Sequence, residues 1–280
     1  MHLRFEDVTQ DGRIVLEALP NALSATVWSA ILREDSFSRP LYAQGIVPIL
    51  SRFVLESGRG PFAATAPIEA EGGHQLARSG DGRIVLDMWS DLSGPLGRTY
   101  GPFEGEGRRA LAGRVYAEHV LTRPFAGAGS HRVTSLDFPG APEVTASRPA
   151  PPAFEAIAGL PPGATPLETS ASPDPVPLTF GVVHTDSNKH VNSLVYLRLF
   201  EEAALRRFAA LGRSGDLLAT EMDIAYRRPC FAGQTARVTL QAFEHEGRLG
   251  AVAVLVPEDP ATDALAAPKP HAYVRMAFDG

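Results

Sequence analysis

A proline-rich stretch in the middle of the chain limits its possible folds more than any other feature. The segment from Asp137 to Pro177 contains eleven of the 24 prolines in 280 residues. Proline removes a backbone donor and interrupts regular helix and sheet, so we expect mostly extended coil here. A coil of that length is unusual inside one compact domain. The pattern therefore predicts a connector at 126–177 between a first unit at 1–125 and a second unit at 178–280.

The second unit has a clear order of elements. After a short predicted strand at 178–183, apolar residues spaced three and four apart predict a helix over 191–211, which ends at Gly212. One helix followed by several strands predicts an α+β unit in which an antiparallel sheet packs on a long helix. The strand-like runs lie at 218–228, 234–246, 249–257 and 269–279.

The first unit repeats this order more loosely. It starts with a hairpin-like stretch that turns at Asp11-Gly12, followed by a helical pattern over 20–32. The run at 46–56 fits either more helix or a strand. The repeated order of strand, helix and several strands indicates a duplicated fold. Its later strand-like runs lie at 62–72, 83–92 and 108–121.

Composition excludes several classes of function. The net charge of −6 argues against general nucleic-acid binding, because phosphate contacts need a basic face. The single cysteine, Cys230, rules out an internal disulfide and fits a reducing compartment. No run approaches the roughly 20 apolar residues of a membrane helix, and no apolar signal core begins the sequence. We expect a cytoplasmic protein that needs no membrane, metal or cofactor.

The most informative stretch is HTDSNKHVNSLVY at residues 184–196. Asp186, Asn188 and His190 are spaced two apart directly before the predicted helix. The first N–H groups of a helix lack internal partners and favour negative charge, including an oxyanion that forms during a reaction. A nearby carboxylate can act as a base or a nucleophile. Any one of these residues alone is more often a helix cap, but one cap would suffice and the stretch offers several.

This stretch resembles the signature of the hotdog-fold thioesterases, and most of all that of the acyl-acyl-carrier-protein (acyl-ACP) thioesterases. In that family Asp-x-Asn-x-His-Val-Asn-Asn is followed by a Tyr. A second match is Tyr-Arg-Arg-Pro-Cys at 226–230, where the family has Tyr-Arg-Arg-Glu-Cys. The close resemblance covers roughly residues 178–250, and the first half matches only in the order of its elements. The matching signature residues are Asp186, Asn188, His190, Val191, Asn192 and Tyr196.

The resemblance implies a double hotdog of the α+β class, in which each unit has a long central helix wrapped by an antiparallel β-sheet. It implies hydrolysis of acyl thioesters to free acid and thiol within fatty acid metabolism, with an acyl carrier protein or coenzyme A as the carrier. Asp186 would be base or nucleophile, and Asn188 and His190 would position the carbonyl and the water. A homodimer is compatible with this fold. The residues expected to form substrate or oxyanion contacts are Val191, Asn192 and Tyr196.

Two positions depart from the family pattern. Ser193 replaces the last Asn of the signature, which is a modest change. Pro229 replaces the Glu that is implicated in catalysis in the family, and proline can neither accept a proton nor order a water. Either Asp186 carries the base role here, or the activity is weak or altered.

Three questions remain open from the sequence. An acyl-thioester hydratase or dehydratase shares the fold but usually needs a different placement of His and carboxylate. A non-catalytic acyl-thioester binder is the interpretation that Pro229 favours. Cys230 has two interpretations: a catalytic nucleophile, which would need a lowered pKa, or a small buried residue that lines the pocket, which we favour.

Overall fold

The chain folds into two compact units, Met1–Pro152 and Ala153–Gly280. The structure, a computed structural model, describes residues 1–33, 35–127, 129–213, 215–258 and 269–280. Residues 34, 128, 214 and 259–268 of the predicted units and connector lie outside the described residues. The observed boundary falls inside the predicted connector. None of the described helices is long and apolar enough to cross a membrane.

The helical segment of the first unit is divided into consecutive short pieces. The hydroxyl of Thr26 donates to the carbonyl of Ala22 at 2.7 Å, and that of Ser29 donates to the carbonyl of Ala25 at 3.0 Å. Such bonds to the preceding turn bend helices. The predicted long central helix is therefore not confirmed in this unit. The pieces are α1 at Asn21–Leu23, a π-helical turn at Ser24–Trp28, α2 at Ser29–Arg33 and α3 at Asp35–Ala43.

Within the described part of the first unit, five strands pair in the order β5-β2-β3-β4-β1. All pairs are antiparallel except β5 with β2, which are parallel. The ambiguous run at 46–56 is a strand, and the strand predicted at 62–72 lies later, at β2. The strands are β1 at Val47–Ser57, β2 at Glu69–Ser79, β3 at Ile84–Pro95, β4 at Arg109–Thr122 and β5 at Ala146–Arg148.

The proline-rich stretch is shared between the two units. Its early part supplies β5, and later parts supply two two-residue strands, β6 and β7, that pair with one strand of the second unit, β10 at Thr235–His245. A third two-residue strand, β8, follows the stretch directly and pairs with β10 as well. The prolines keep these pairings short, because each proline removes a ladder donor. The pieces are α4 at Phe154–Ile157, β6 at Thr165–Pro166, β7 at Ser172–Pro173 and β8 at Leu178–Thr179.

The second unit has the predicted long helix and antiparallel sheet. Its helix, α5, runs over Ser193–Ala210, and the main strands are ordered β9-β12-β11-β10. Glu246 and Gly247 both have positive φ, at 51° and 76°, in the turn that joins β10 to β11. That combination is typical of a tight hairpin turn. The remaining strands are β9 at Leu218–Tyr226, β11 at Arg248–Pro257 and β12 at Ala272–Asp279.

Helix α5 buries one apolar face against its own unit. The ring of Phe208 meets the ring of Phe278 on β12 edge to face, with centroids 5.0 Å apart. At the other end, the side chain of Asn192 caps the helix by accepting the N–H of Leu194 at 2.8 Å. The Asn192 cap fixes the start of α5, directly after the other signature residues. The buried face consists of Tyr196, Leu197, Phe200, Ala203, Ala204 and Phe208.

Candidate active site

The signature loop is a closed turn directly before α5. The N–H of Asp186 donates to the carbonyl of His190 at 3.1 Å, and the N–H of Lys189 donates to the carbonyl of Asp186 at 3.0 Å. Thr185 and Val191 pair across the base of the loop. Lys189 has a φ of 66°, a left-handed conformation that a lysine adopts only under local constraint. Residues 186–190 are thereby held in one defined shape.

Asp186 and His190 face each other within this loop. Oδ1 of Asp186 accepts the N–H of Asn188 at 2.8 Å and lies 4.0 Å from Nδ1 of His190. The two side chains are partly accessible, at 27% for Asp186 and 37% for His190. One carboxylate oxygen thus shapes the turn, while the group as a whole stays open to water or to a substrate.

Asn188 lies at the exposed tip of the loop. Its main-chain N–H completes the turn with Asp186, and its side-chain amide supplies both a donor and an acceptor. All three predicted catalytic residues therefore lie on one partly exposed loop.

The main-chain amides of Val191 and Asn192 are both engaged. The N–H of Val191 donates to the carbonyl of Cys230 at 2.8 Å, and that of Asn192 donates to the carbonyl of His184 at 2.9 Å. The side chain of Val191 is buried in the core. The predicted oxyanion role of these two amides is not supported by this geometry, because each already has an acceptor. They hold the loop on its neighbours instead.

Tyr196 and Cys230 form a buried pair beneath the loop. The main-chain N–H of Cys230 donates to Oη of Tyr196 at 3.1 Å, and both side chains are buried. Burial raises the pKa of the Cys230 thiol to about 11, although the hydrogen bond from Tyr196 acts in the opposite direction. A neutral buried thiol is a poor nucleophile. The structure thus favours the interpretation of Cys230 as a buried residue, with Tyr196 as its support.

Tyr226 completes the connection between the two sequence motifs. Its hydroxyl donates to the carbonyl of Ser193 at 3.0 Å, at the start of α5. Its ring also meets the ring of Tyr196 edge to face, at 5.4 Å. Burial raises the pKa of both tyrosines, so both hydroxyls stay protonated. The stretches at 184–196 and 226–230, which are remote in sequence, therefore meet in one place.

Two other histidines, His184 and His271, make main-chain contacts near the loop. Nδ1 of His184 accepts the N–H of Gly181 at 2.9 Å, so this ring caps the short turn at Val182–His184. His271, which the sequence gave no role, is buried at the start of β12, and its carbonyl accepts the N–H of Arg227 at 2.8 Å. No local sequence pattern around His271 predicts this contact with Arg227.

No group of three or more His, Cys, Asp or Glu side chains within the described ranges is placed to hold a metal ion.

Comparison with known proteins identifies chains of similar sequence or fold. Residues 188–256 match the thioesterase superfamily. An acyl-ACP thioesterase from Bacteroides thetaiotaomicron has a similar structure, with a TM-score of 0.63 and 12% identity over 100% of this chain and 96% of that chain. The 12:0-ACP thioesterase from Umbellularia californica aligns with a TM-score of 0.59 and 15% identity, over 100% of this chain and 95% of that chain. No curated protein sequence matches the chain.

The fold is a hotdog fold like that of solved thioesterase structures, which together with the match of residues 188–256 confirms the resemblance drawn from the signature residues. More particularly, the chain has the full-length fold of acyl-ACP thioesterases, and its second unit carries the segment that matches the thioesterase superfamily.

Proposed function

We propose that this protein hydrolyses acyl thioesters to the free acid and thiol at the loop before α5. The observation that carries the proposal is the placement of Asp186, Asn188 and His190 on one constrained, partly exposed loop. The match of 188–256 to the thioesterase superfamily supports the same chemistry.

Asp186 acts on the attacking water in this mechanism. As a general base, its carboxylate takes a proton while the water oxygen bonds to the thioester carbonyl carbon. When the C–S bond breaks, the proton passes to the leaving sulfur, so that one acid and one thiol form. The alternative is direct attack by the carboxylate, which breaks the C–S bond, expels the thiolate and gives an acyl-aspartate. Water then hydrolyses the acyl-aspartate to the free acid, and the thiolate takes up a proton from water. Both routes need an accessible carboxylate, and Asp186 has 27% of its side chain exposed.

Asn188 and His190 stabilise the oxyanion and orient the water. The side-chain amide of Asn188 and the imidazole of His190 take over the donor role, since the amides of Val191 and Asn192 are engaged elsewhere. Hydrogen-bond donors preorganised at a developing oxyanion contribute roughly 3 kcal/mol each to catalysis. His190 Nδ1 lies 4.0 Å from Oδ1 of Asp186, so both side chains can reach the same water or carbonyl group.

The finer assignments follow from the resemblance. We propose an acyl carrier protein or coenzyme A as the thiol carrier, a cytoplasmic location and a role in fatty acid metabolism. The double hotdog arrangement leaves the catalytic signature to the second unit, while the first unit shapes the acyl site or serves assembly. A homodimer belongs to the same proposal.

A second candidate function is acyl-thioester binding without hydrolysis. Pro229 is the observation that favours it, because this exposed residue stands where the family has a Glu and supplies no proton acceptor. The proposal of hydrolysis requires Asp186 to act without that Glu.

One assay separates these functions. The protein is incubated with acyl-CoA and acyl-ACP series of increasing chain length, while free thiol and free acid are measured. Equal amounts of thiol and acid support hydrolysis. Tight binding without thiol release supports the binder, and a hydroxyacyl or enoyl thioester product supports a hydratase or dehydratase.

A further inference from the structure

The side chain of Arg227, directly after β9, contacts two aromatic residues of the second unit. Its Nη1 donates to Oη of Tyr273 on β12 at 3.1 Å. Its guanidinium carbon lies over the ring of Phe154 in α4, 5.5 Å from the ring centroid. The rings of Phe154 and Tyr273 also stack on each other, with centroids 5.4 Å apart and 23° between their planes. These three side chains form one cluster, and each of its contacts is lost when the arginine side chain is replaced by an apolar one or the stack is removed.

Arg227 and its neighbour Tyr226 hold the end of β9 from opposite faces of the sheet. The ring of Tyr226 meets the ring of Tyr196 on α5 at 5.4 Å, so Tyr226 lies on the helix face. Successive side chains of a strand alternate between faces, and the N–H of Arg227 continues the pairing with β12 by donating to the carbonyl of His271 at 2.8 Å. The side chain of Arg227 therefore lies on the outer face, opposite α5, together with that of Tyr273.

The turn at 227–230 leads directly to the catalytic loop. The carbonyl of Cys230 accepts the N–H of Val191 at 2.8 Å, and Val191 follows His190 in the chain. The side chains of Arg228 and Pro229 are exposed, and within the described part of the chain neither makes a hydrogen bond or an ion pair. The anchor of this turn on the outer face is therefore the side chain of its first residue.

We propose that Arg227 is a positioning residue for the catalytic loop. Its guanidinium anchors the turn at 227–230 to its two aromatic partners, and the turn holds His190 in place. The two adjacent arginines of the Tyr-Arg-Arg-Pro-Cys motif thus differ, since Arg227 anchors the turn and Arg228 faces solvent. The inference rests on the proposed function, because the geometry that the anchor maintains is that of the thioester-cleaving loop. A displacement of about 1 Å at such a site is enough to reduce a rate about 100-fold.

Two substitutions at Arg227 test the anchor. Arg227→Met keeps the length of the side chain but removes its charge and its donors. Arg227→Lys keeps a cation that can lie over an aromatic ring and donate one hydrogen bond, which is what this arginine does here. We expect Arg227→Met to lower kcat by about 10- to 100-fold with KM within about threefold. Arg227→Lys should recover at least about a third of the wild-type kcat.

Replacement of Tyr273 tests whether the contact itself matters. Tyr273→Phe removes the hydroxyl that accepts from Arg227 but keeps the ring that stacks on Phe154. It should lower kcat in the wild-type background. In the Arg227→Met background it should change kcat by less than about twofold, because the contact has already been lost.

Arg228→Met provides the matched control. It makes the same chemical change one residue further along the turn, at an exposed arginine without an ion pair among the described residues. We expect its kcat to stay within about twofold of wild type. The contrast between the two variants separates the anchor from a general loss of positive charge near the loop.

Amide exchange at Val191 gives a readout that does not depend on catalysis. Exchange should be at least about tenfold faster in Arg227→Met than in Arg228→Met, because the turn that binds this amide has lost its anchor. If the wild-type protein cleaves no thioester, the proposed function fails, and this comparison still decides the positioning claim. Equal exchange in the two variants would refute it.

Three kinetic outcomes would overturn the proposal. They are a folded Arg227→Met variant with wild-type kcat, an Arg228→Met variant as impaired as Arg227→Met, and an Arg227→Lys variant that recovers none of the lost kcat. If Arg227→Met does not fold, Tyr273→Phe decides. A lower kcat in folded Tyr273→Phe supports the anchor, and an unchanged kcat refutes it.

Discussion

Replacement of Tyr196 by Phe tests whether the hydroxyl supports the turn that carries Cys230. The hydroxyl accepts the buried N–H of Cys230 at 3.1 Å. Tyr196→Phe keeps the ring and its packing but removes this acceptor. A buried donor without a partner costs about 1–3 kcal/mol, so we expect the free energy of unfolding to fall by about 2 kcal/mol.

Tyr226→Phe is the matched control for this prediction. The hydroxyl of Tyr226 donates to the carbonyl of Ser193, the first residue of α5. A carbonyl in the first turn of a helix also accepts an N–H from the next turn, so it stays satisfied when the tyrosine hydroxyl is lost. We therefore expect a smaller cost, about 1 kcal/mol or less.

Urea denaturation followed by far-ultraviolet circular dichroism measures both costs, and amide exchange at Cys230 measures the local effect. The Tyr196→Phe variant should exchange the Cys230 amide faster, whereas the Tyr226→Phe variant should not. Equal stabilities for wild type and Tyr196→Phe, with unchanged Cys230 exchange, would refute the reasoning that this hydroxyl supports the turn.

Three further predictions follow from burial and charge. Cys230→Ala should keep the rate of thioester cleavage within about threefold of wild type. The native thiol should resist alkylation at pH 7.5, because burial raises its pKa to about 11. A large loss of cleavage in a folded Cys230→Ala variant would contradict the view that Cys230 is not the nucleophile. Burial lowers the pKa of His119 to about 4 in the folded protein. Below pH 6.5 the unfolded chain therefore binds more protons than the folded one. The free energy of unfolding should be about 2 kcal/mol lower at pH 5 than above pH 6.5 because of this residue. His119→Gln should lose that part of the pH dependence, and parallel curves for the two proteins would contradict it. Asp174→Asn disrupts the ion pair between the buried Asp174 and the partly exposed Arg206, and it should cost about 2 kcal/mol in urea denaturation. Glu202→Gln, at an exposed partner of the same arginine, should cost less than about 0.5 kcal/mol. Equal costs for the two variants would contradict the difference in burial.

The second unit was largely predictable because its signals are local. The spacing of apolar residues before Gly212 predicts α5 within about two residues, and the strand runs predict β9 to β12. The first unit was less predictable. Residues 21–33 are helical throughout, but a π-helical turn at Ser24–Trp28 interrupts the α-helical pattern. The hydroxyls of Thr26 and Ser29 bond to the preceding turn at this place, which apolar periodicity does not predict.

The candidate site was also predictable only in part. The order of Asp186, Asn188 and His190 before a helix is a local pattern, and the structure places them on one loop. The Val191 N–H is not free to bind an oxyanion because it donates to the carbonyl of Cys230, a residue that is remote in sequence. The pKa of Cys230 and the contact made by His271 also depend on tertiary burial, which no local pattern reports.

The most direct test of the catalytic loop is kcat/KM for thioester cleavage by the Asp186→Asn variant. The asparagine oxygen can still accept the N–H of Asn188, so the turn is kept while the base and the nucleophile are removed. Glu202→Gln makes the same chemical change on an exposed position of α5 and serves as the control. We predict a loss of at least about 100-fold for Asp186→Asn and no loss for Glu202→Gln. Wild-type cleavage by a folded Asp186→Asn variant would contradict the account.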